Sequence, residues 1–204
     1  IHTWGDGGIY DHKLLYQLDE KWTSVTDSLG NTTKYFWNDK GLNWKIVDPL
    51  GHVRYKRYTS TSKVQATINE LGLTTSYEYD DAGNKTKTIY PDGTSMELQY
   101  QDDLLVNAID QNGGSWAWEY NEDRQLIKRT DCIGRITQYQ YKDGLLHTIQ
   151  SPAGGETIVG FDKSMNLAKL VSPDGTFTTW QYDRLGRPLI ATAPKGNVQR
   201  RKYN

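Results

Sequence analysis

Leu73-Thr-Thr-Ser-Tyr77-Glu-Tyr79, Asp80-Asp81-Ala82-Gly83, Asn84-Lys-Thr-Lys-Thr-Ile-Tyr90, Pro91-Asp92-Gly93: this stretch decides the fold. Thr and Tyr recurring with period two describe an extended strand, and the run after Gly83 reads the same way. The segments between have the chemistry of turns. An Asp side chain bonds backbone amides two residues on, Pro presets φ at the second turn position, and Gly accepts a positive φ. Two strands of about seven residues with two short turns fill the stretch and leave no room for a helix. The unit is a β-hairpin.

Outward from it the pattern recurs. Gly30, Gly51, Gly72, Gly93, Gly113, Gly134, Gly154, Gly175 and Gly196 are spaced by 21, 21, 21, 20, 21, 20, 21 and 21 residues. Seven positions after each stands an aromatic: Trp37, Tyr58, Tyr79, Tyr100, Tyr120, Tyr141, Phe161, Tyr182 and Tyr203. An aromatic content of 12% would put about one there by chance, so the slot is a structural requirement. Tyr16 continues the register upstream, with Ile9 beside Gly8 where the glycine belongs. Asp or Asn follows the aromatic at Asn38, Asp80, Asn121, Asp162, Asp183 and Asn204. Some units are degenerate: Tyr58-Thr59 lacks the Asp, and Leu104, Arg124, Leu145 and Met165 read as replacements for the second glycine, the role of Gly83 and Gly186. A fixed period of this size means an array of one supersecondary unit.

The faces follow from the alternation. Counted from the repeat glycine, offsets three, five and seven carry Thr75/Tyr77/Tyr79, Trp116/Trp118/Tyr120 and Thr178/Trp180/Tyr182, while offsets four and six carry Ser76/Glu78, Gln138/Gln140 and Thr179/Gln181. One face is aromatic and the other polar. The same offset recurring in every hairpin predicts aromatic ladders across the sheet, with Tyr79, Tyr141 and Tyr182 each touching an equivalent or offset-five neighbour. Strands are expected near 73–79, 84–90, 94–100, 135–141, 176–182 and 187–192. The fold class is all-β: tandem antiparallel hairpins forming a long, twisted ribbon. Nine units at two strands each, about 4.8 Å apart, give a ribbon on the order of 85 Å. Such a ribbon is expected to curl. Residues 1–29 read as the first, irregular hairpin unit or units, and 30–204 as the tandem repeats. Position 1 is Ile, and Tyr203-Asn204 is the aromatic–Asn step of a further unit, so the expectation is a piece of a longer array.

Composition excludes several classes. The 204 residues carry 24 Lys+Arg against 25 Asp+Glu, which gives no electrostatic case for nucleic acid or an anionic membrane. No run approaches about eighteen apolar residues, so no transmembrane helix is expected. Cys132 is the only cysteine, so no disulfide forms within the chain. His2, His12, His52 and His147 are scattered without metal-ligand spacing. Gly93-Thr-Ser-Met96 and Gly113-Gly-Ser-Trp116 open like a nucleophile elbow but lack its closing glycine and helix. Asp80-Asp81, Asp102-Asp103 and Glu122-Asp123 all fall in turn slots, where solvated turn acids outnumber acid/base pairs. The repeat Asp is read as a turn cap in preference to a cation ligand, since the calcium-binding nonapeptide is absent. No cofactor, no metal and no catalytic residue is expected. Trp116 and Trp118, two residues apart on one face, are the candidate sugar platform.

Tyr182-Asp183-Arg184-Leu185-Gly186-Arg187 and Tyr79-Asp80-Asp81-Ala82-Gly83-Asn84 resemble the Tyr-Asp (YD) repeat, also called the Rhs repeat. His2-Thr-Trp-Gly-Asp-Gly-Gly8 and Asp27-Ser-Leu-Gly-Asn-Thr-Thr33 resemble the core of bacterial Rhs polymorphic toxins. The resemblance covers essentially the whole chain. It implies a β-ribbon wound into a hollow cocoon that encloses a C-terminal toxin domain. Such proteins are secreted or cell-surface, and are delivered by type VI or insecticidal-complex machinery. The implied partners are the remaining repeats, the enclosed toxin domain, and a secretion-apparatus spike or chaperone. The resemblance carries no catalytic residue onto these positions. The competing reading is an extracellular adhesion array that binds carbohydrate.

Overall fold

The computed structural model describes residues 2–3 and 11–203, all of it strand and turn, with no helix among them. Trp4, Gly8, Ile9 and Asn204 of the sequence pattern lie outside the described residues. The chain divides into two compact units, Ile1–Leu98 and Gln99–Asn204, with the boundary inside the strand Ser95–Gln101.

The first unit carries, after the short strand His2–Thr3, the strands His12–Gln17, Trp22–Thr26, Thr32–Trp37, Asn43–Val47, Val53–Tyr58, Val64–Ile68, Thr74–Tyr79 and Lys85–Ile89. The second carries Leu104–Ile109, Ser115–Tyr120, Leu126–Thr130, Ile136–Lys142, Leu145–Gln150, Glu156–Phe161, Leu167–Val171, Phe177–Tyr182, Pro188–Thr192 and Val198–Arg200. The strands expected from the alternation are present, each end within one residue. Every pairing within a unit is antiparallel and joins chain neighbours, as in Thr67↔Thr75, Tyr77↔Thr88 and Trp180↔Ala191. Within each unit strands touch only their chain neighbours. Each unit is therefore, within itself, a single-layered meander. Strands Trp22–Thr26 and Thr32–Trp37 pair directly across the Gly30 turn, so pairing is continuous through residue 29.

A single layer has almost no interior. Among the described residues only Ala66, Ala108, Val159, Ser24, Thr88 and Thr148 are buried, and no large side chain is fully enclosed. Small residues sit low between bulkier neighbours, while the aromatic slots are half-buried. Stability must then accumulate from contacts between successive hairpins.

Both turn rows are built alike. Asp183 N donates to Arg187 O at 3.0 Å and Gly186 N donates to Asp183 O at 3.1 Å. This is a type I turn closed by a residue in the left-handed region, here Gly186 at φ 75°. The repeat glycines do the same on the other row, as at Gly72 with φ 78°. Ser62, Arg124 and Met165 hold the glycine slot at φ 67°, 63° and 63°. Leu104 and Leu145 do not, and here the structure corrects the sequence reading. Those two turns are one residue shorter, with Asp102–Asp103 at φ 51° and 61° and Asp143–Gly144 at φ 51° and 78°. Two consecutive positive φ values make a two-residue hairpin turn. A deletion, not a substitution, produces the two 20-residue spacings, and Leu104 and Leu145 begin the next strand.

Candidate functional site

The repeated element around the aromatic is the feature that organises the molecule. At the described steps Phe36/Trp37, Arg57/Tyr58, Glu78/Tyr79, Glu119/Tyr120, Gln140/Tyr141, Gly160/Phe161 and Gln181/Tyr182 the register shifts by a β-bulge. A bulge interrupts the ladder and re-aims side chains. The tyrosine ring then reaches back one hairpin. Tyr79 Oη donates to Val64 O at 2.7 Å, Tyr120 to Leu105 O at 3.0 Å, and Tyr141 to Leu126 O at 2.9 Å. Tyr182 donates to Leu167 O at 2.8 Å and Tyr203 to Pro188 O at 2.9 Å, while Tyr58 donates to Asn43 O. In every case the acceptor lies 15 residues earlier, at the start of the second strand of the preceding hairpin. Each hydroxyl staples its hairpin to the one before. Burial raises the Tyr58, Tyr79 and Tyr141 hydroxyls above the ordinary value of 10.0.

Trp37 and Phe161 occupy the same slot without a hydroxyl, and both are half-buried, as is Tyr100. Tyr16 is 45% exposed. Among the described residues no stacked ring pair joins Tyr79, Tyr141 or Tyr182 to another aromatic, so the expected ladder is not one of stacked rings. Tyr79, Tyr141 and Tyr182 bond backbone carbonyls instead. The reason is spacing: equivalent positions lie two strands, roughly 9.6 Å, apart, with the second strand of a hairpin between them. Cations fill part of that gap. Lys63 Nζ lies 5.3 Å from the Tyr79 ring centroid, and the Arg187 guanidinium lies 4.5 Å from that of Tyr203.

The carboxylates of the repeat are occupied by their own turns. Asp80 Oδ1 accepts from Gly83 N at 2.7 Å and Asn84 N at 2.8 Å. Asp162 accepts from Ser164 N, Asn166 N and the Asn166 side chain. Asp183 accepts from Leu185 N and Arg187 N, and from Arg187 Nε at 2.7 Å. The Asn166 side-chain amide and backbone amide hold the Asp162 carboxyl below its ordinary 3.8. For Asp183 the Arg187 backbone amide leads, and together with the Arg187 side chain and Leu185 amide it outweighs the opposing effect of desolvation. Anchored in this way, these oxygens cap turns. Among the described residues no group of three or more His, Cys, Asp or Glu side chains could hold a metal ion.

Gly83 also meets the neighbouring hairpin. Lys63 Nζ donates to Gly83 O at 2.5 Å, and a Cβ at Gly83 would lie 1.8 Å from that nitrogen. Trp116 and Trp118 are half-buried, with Trp116 opposite the buried Ala108 and Trp118 opposite Arg129. Trp118 borders an open cleft of about 590 Å³ with Tyr120, Leu104 and Val106, and Trp116 does not line it. A more exposed aromatic pair lies elsewhere: Trp44 and Tyr55, 40% and 37% exposed, stack with ring centroids 6.0 Å apart. Neither occupies an offset-three, -five or -seven slot. The sequence signal beside it is the pair of cations at Arg54 and Lys56, where the hairpins on either side carry Thr33/Tyr35 and Thr75/Tyr77.

A model of the family described as RHS Repeat matches residues 58–95 and 166–198. These are the stretches with Tyr79-Asp80…Gly83 and Tyr182-Asp183…Gly186. Those two stretches are Rhs repeats. Outside solved structures, no curated protein matches it. The chain aligns over its full length with a crystal structure of TcdB2-TccC3-TEV, at 11% identity and a TM-score of 0.45, spanning 17% of that chain. A crystal structure of TcdB2-TccC3 aligns at 14% identity and 0.45, with 14% of its chain spanned. A Photorhabdus luminescens Tc holotoxin pore structure aligns at 11% and 0.37, with 17% spanned. The fold assignment rests on the hairpins themselves and not on these distant alignments. No helix among the described residues is long and apolar enough to cross a membrane.

Proposed function

We propose that this chain is a structural, non-enzymatic segment of an Rhs-repeat shell that encloses a C-terminal toxin domain of a secreted bacterial toxin. One observation carries the reading: six hairpins are stapled to the hairpin before them by a tyrosine hydroxyl, in single-layered units with almost no interior. An element built in this way makes wall. It extends by adding hairpins, and the repeat tyrosines and aspartates named above are committed to the preceding hairpin or to their own turn. The polymorphic-toxin setting and delivery by type VI or insecticidal-complex machinery belong to the same proposal, with the other repeats and the enclosed domain as partners.

Limited proteolysis of the full-length protein tests it. Enclosure predicts that the domain following the repeats survives protease as long as the array is intact, and is digested once the array is unfolded. Digestion of that domain at the rate of the isolated domain would overturn the reading.

A further inference from the structure

The break in the repeat pattern between Gly51 and Gly72 coincides with a cleft. In that hairpin the offset-three and offset-five slots hold Arg54 and Lys56, where neighbouring hairpins have Thr33 and Tyr35 or Thr75 and Tyr77. Their strand partners are Ile46 and Thr67. Two residues apart on one strand, the cations stand on one face about 6.6 Å from each other. Neither has an ion-pair partner among the described residues, whereas Lys87, Lys128, Arg135 and Arg187 all do. Both line a cleft of about 390 Å³, with apolar walls from Ile46 and Leu73.

Asn43 also lines this cleft, and its Oδ1 is the one buried side-chain oxygen or nitrogen among the described residues without a hydrogen-bond partner. A buried acceptor left unpaired is costly, so one in a native structure points to a missing donor. The three features ask for different groups: the cations for a carboxylate, the amide oxygen for an N–H, and the aliphatic walls for an apolar side chain. A free carboxylate supplies only the first. We propose that this cleft docks an extended peptide segment carrying Asp or Glu beside an apolar residue. The unit has no second layer of its own to roof the cleft over a small molecule. An extended chain instead gathers contacts along the strand direction.

Fluorescence anisotropy with the 204-residue chain tests this, using a labelled peptide of alternating Glu and Leu and its Gln/Leu counterpart. The Glu/Leu peptide is expected to bind about tenfold more tightly than the Gln/Leu peptide, and more weakly as salt rises. The double variant Arg54→Gln/Lys56→Gln should lose that preference, while Lys195→Gln, in an exposed turn of the other unit, should keep it. Far-UV circular dichroism of each variant reports that the strands are intact. Absence of binding, equal binding of the two peptides, or an unchanged preference in the double variant would overturn the proposal. So would phenylacetate or a neutral hexasaccharide competing as well as the peptide.

Discussion

Two adjacent hairpin joints, one at Phe161-Asp162…Met165 and the other at Tyr182-Asp183…Gly186, perform the same local task with different parts. Both have the bulge before the aromatic, and both have the carboxylate gathering the amides of the turn. Only the second has the hydroxyl, which reaches Leu167 O at 2.8 Å, and only the second has glycine at the left-handed position. Met165 accepts φ 63° in its place. The bulge and the capped turn are what these two joints share. The staple and the glycine are reinforcements that a single unit can lack while its neighbours keep the register.

That comparison can be broken by measurement. Replacing Tyr182 with Ala should cost about 3 kcal/mol in urea unfolding, and replacing Phe161 with Ala about 1 kcal/mol less, because only Tyr182 also loses a hydrogen bond. Equal losses would show that the hydroxyl contributes nothing beyond the ring. The exchange variants sharpen the point. Tyr182→Phe should destabilise by about 1 kcal/mol, and Phe161→Tyr should gain up to about that much if its hydroxyl reaches the equivalent carbonyl of Leu146.

Turn strain gives the next effect in size. A left-handed conformation costs a non-glycine residue about 1 kcal/mol, so Met165→Gly should stabilise and Gly186→Ala destabilise by roughly that amount. At Gly186 an added Cβ meets only Asn166 Oδ1, at 3.4 Å, so its cost comes from φ and not from crowding. Melting temperatures that move the same way for both variants would contradict this.

The smallest effects are those of pH. Asp162 and Asp183 are held below 3.8 in the folded chain. Their contribution is therefore present above the unfolded value and is lost as pH falls through the lower folded one. The melting temperature should drop on acidification below about pH 3.8. Tyr79 and Tyr141 are raised above 10.0, so their contribution is full below that value and fades as pH rises past it. Spectrophotometric titration should show their phenols ionising above pH 10.0.

Much of this molecule is readable along the chain, because a hairpin array is a local structure. The alternation Thr75/Tyr77/Tyr79 determined the strand, the Asp80 and Gly83 pair determined the turn, and the period determined that one unit repeats. None of these needs a distant contact: pleat, turn and repeat act over a few residues. The destination of a side chain across two strands is another matter. The aromatic of each unit was legible as a requirement, but the bond that six of the tyrosines make to a carbonyl 15 residues back depends on a bulge, and no residue type announces one. The same limit hid the shortened turns at Asp102–Asp103 and Asp143–Gly144. A spacing of 20 says that a residue is missing but not where the backbone absorbs the loss. Likewise Arg54 and Lys56 were visible as exceptions to a pattern, while the Trp44–Tyr55 stack and the unpaired Asn43 oxygen beside them came into view only once the strands were paired. Sequence determined what each hairpin is, because its forces are local. Tertiary structure alone decided what each hairpin holds, because register and bulge set the position of every side chain that crosses between strands.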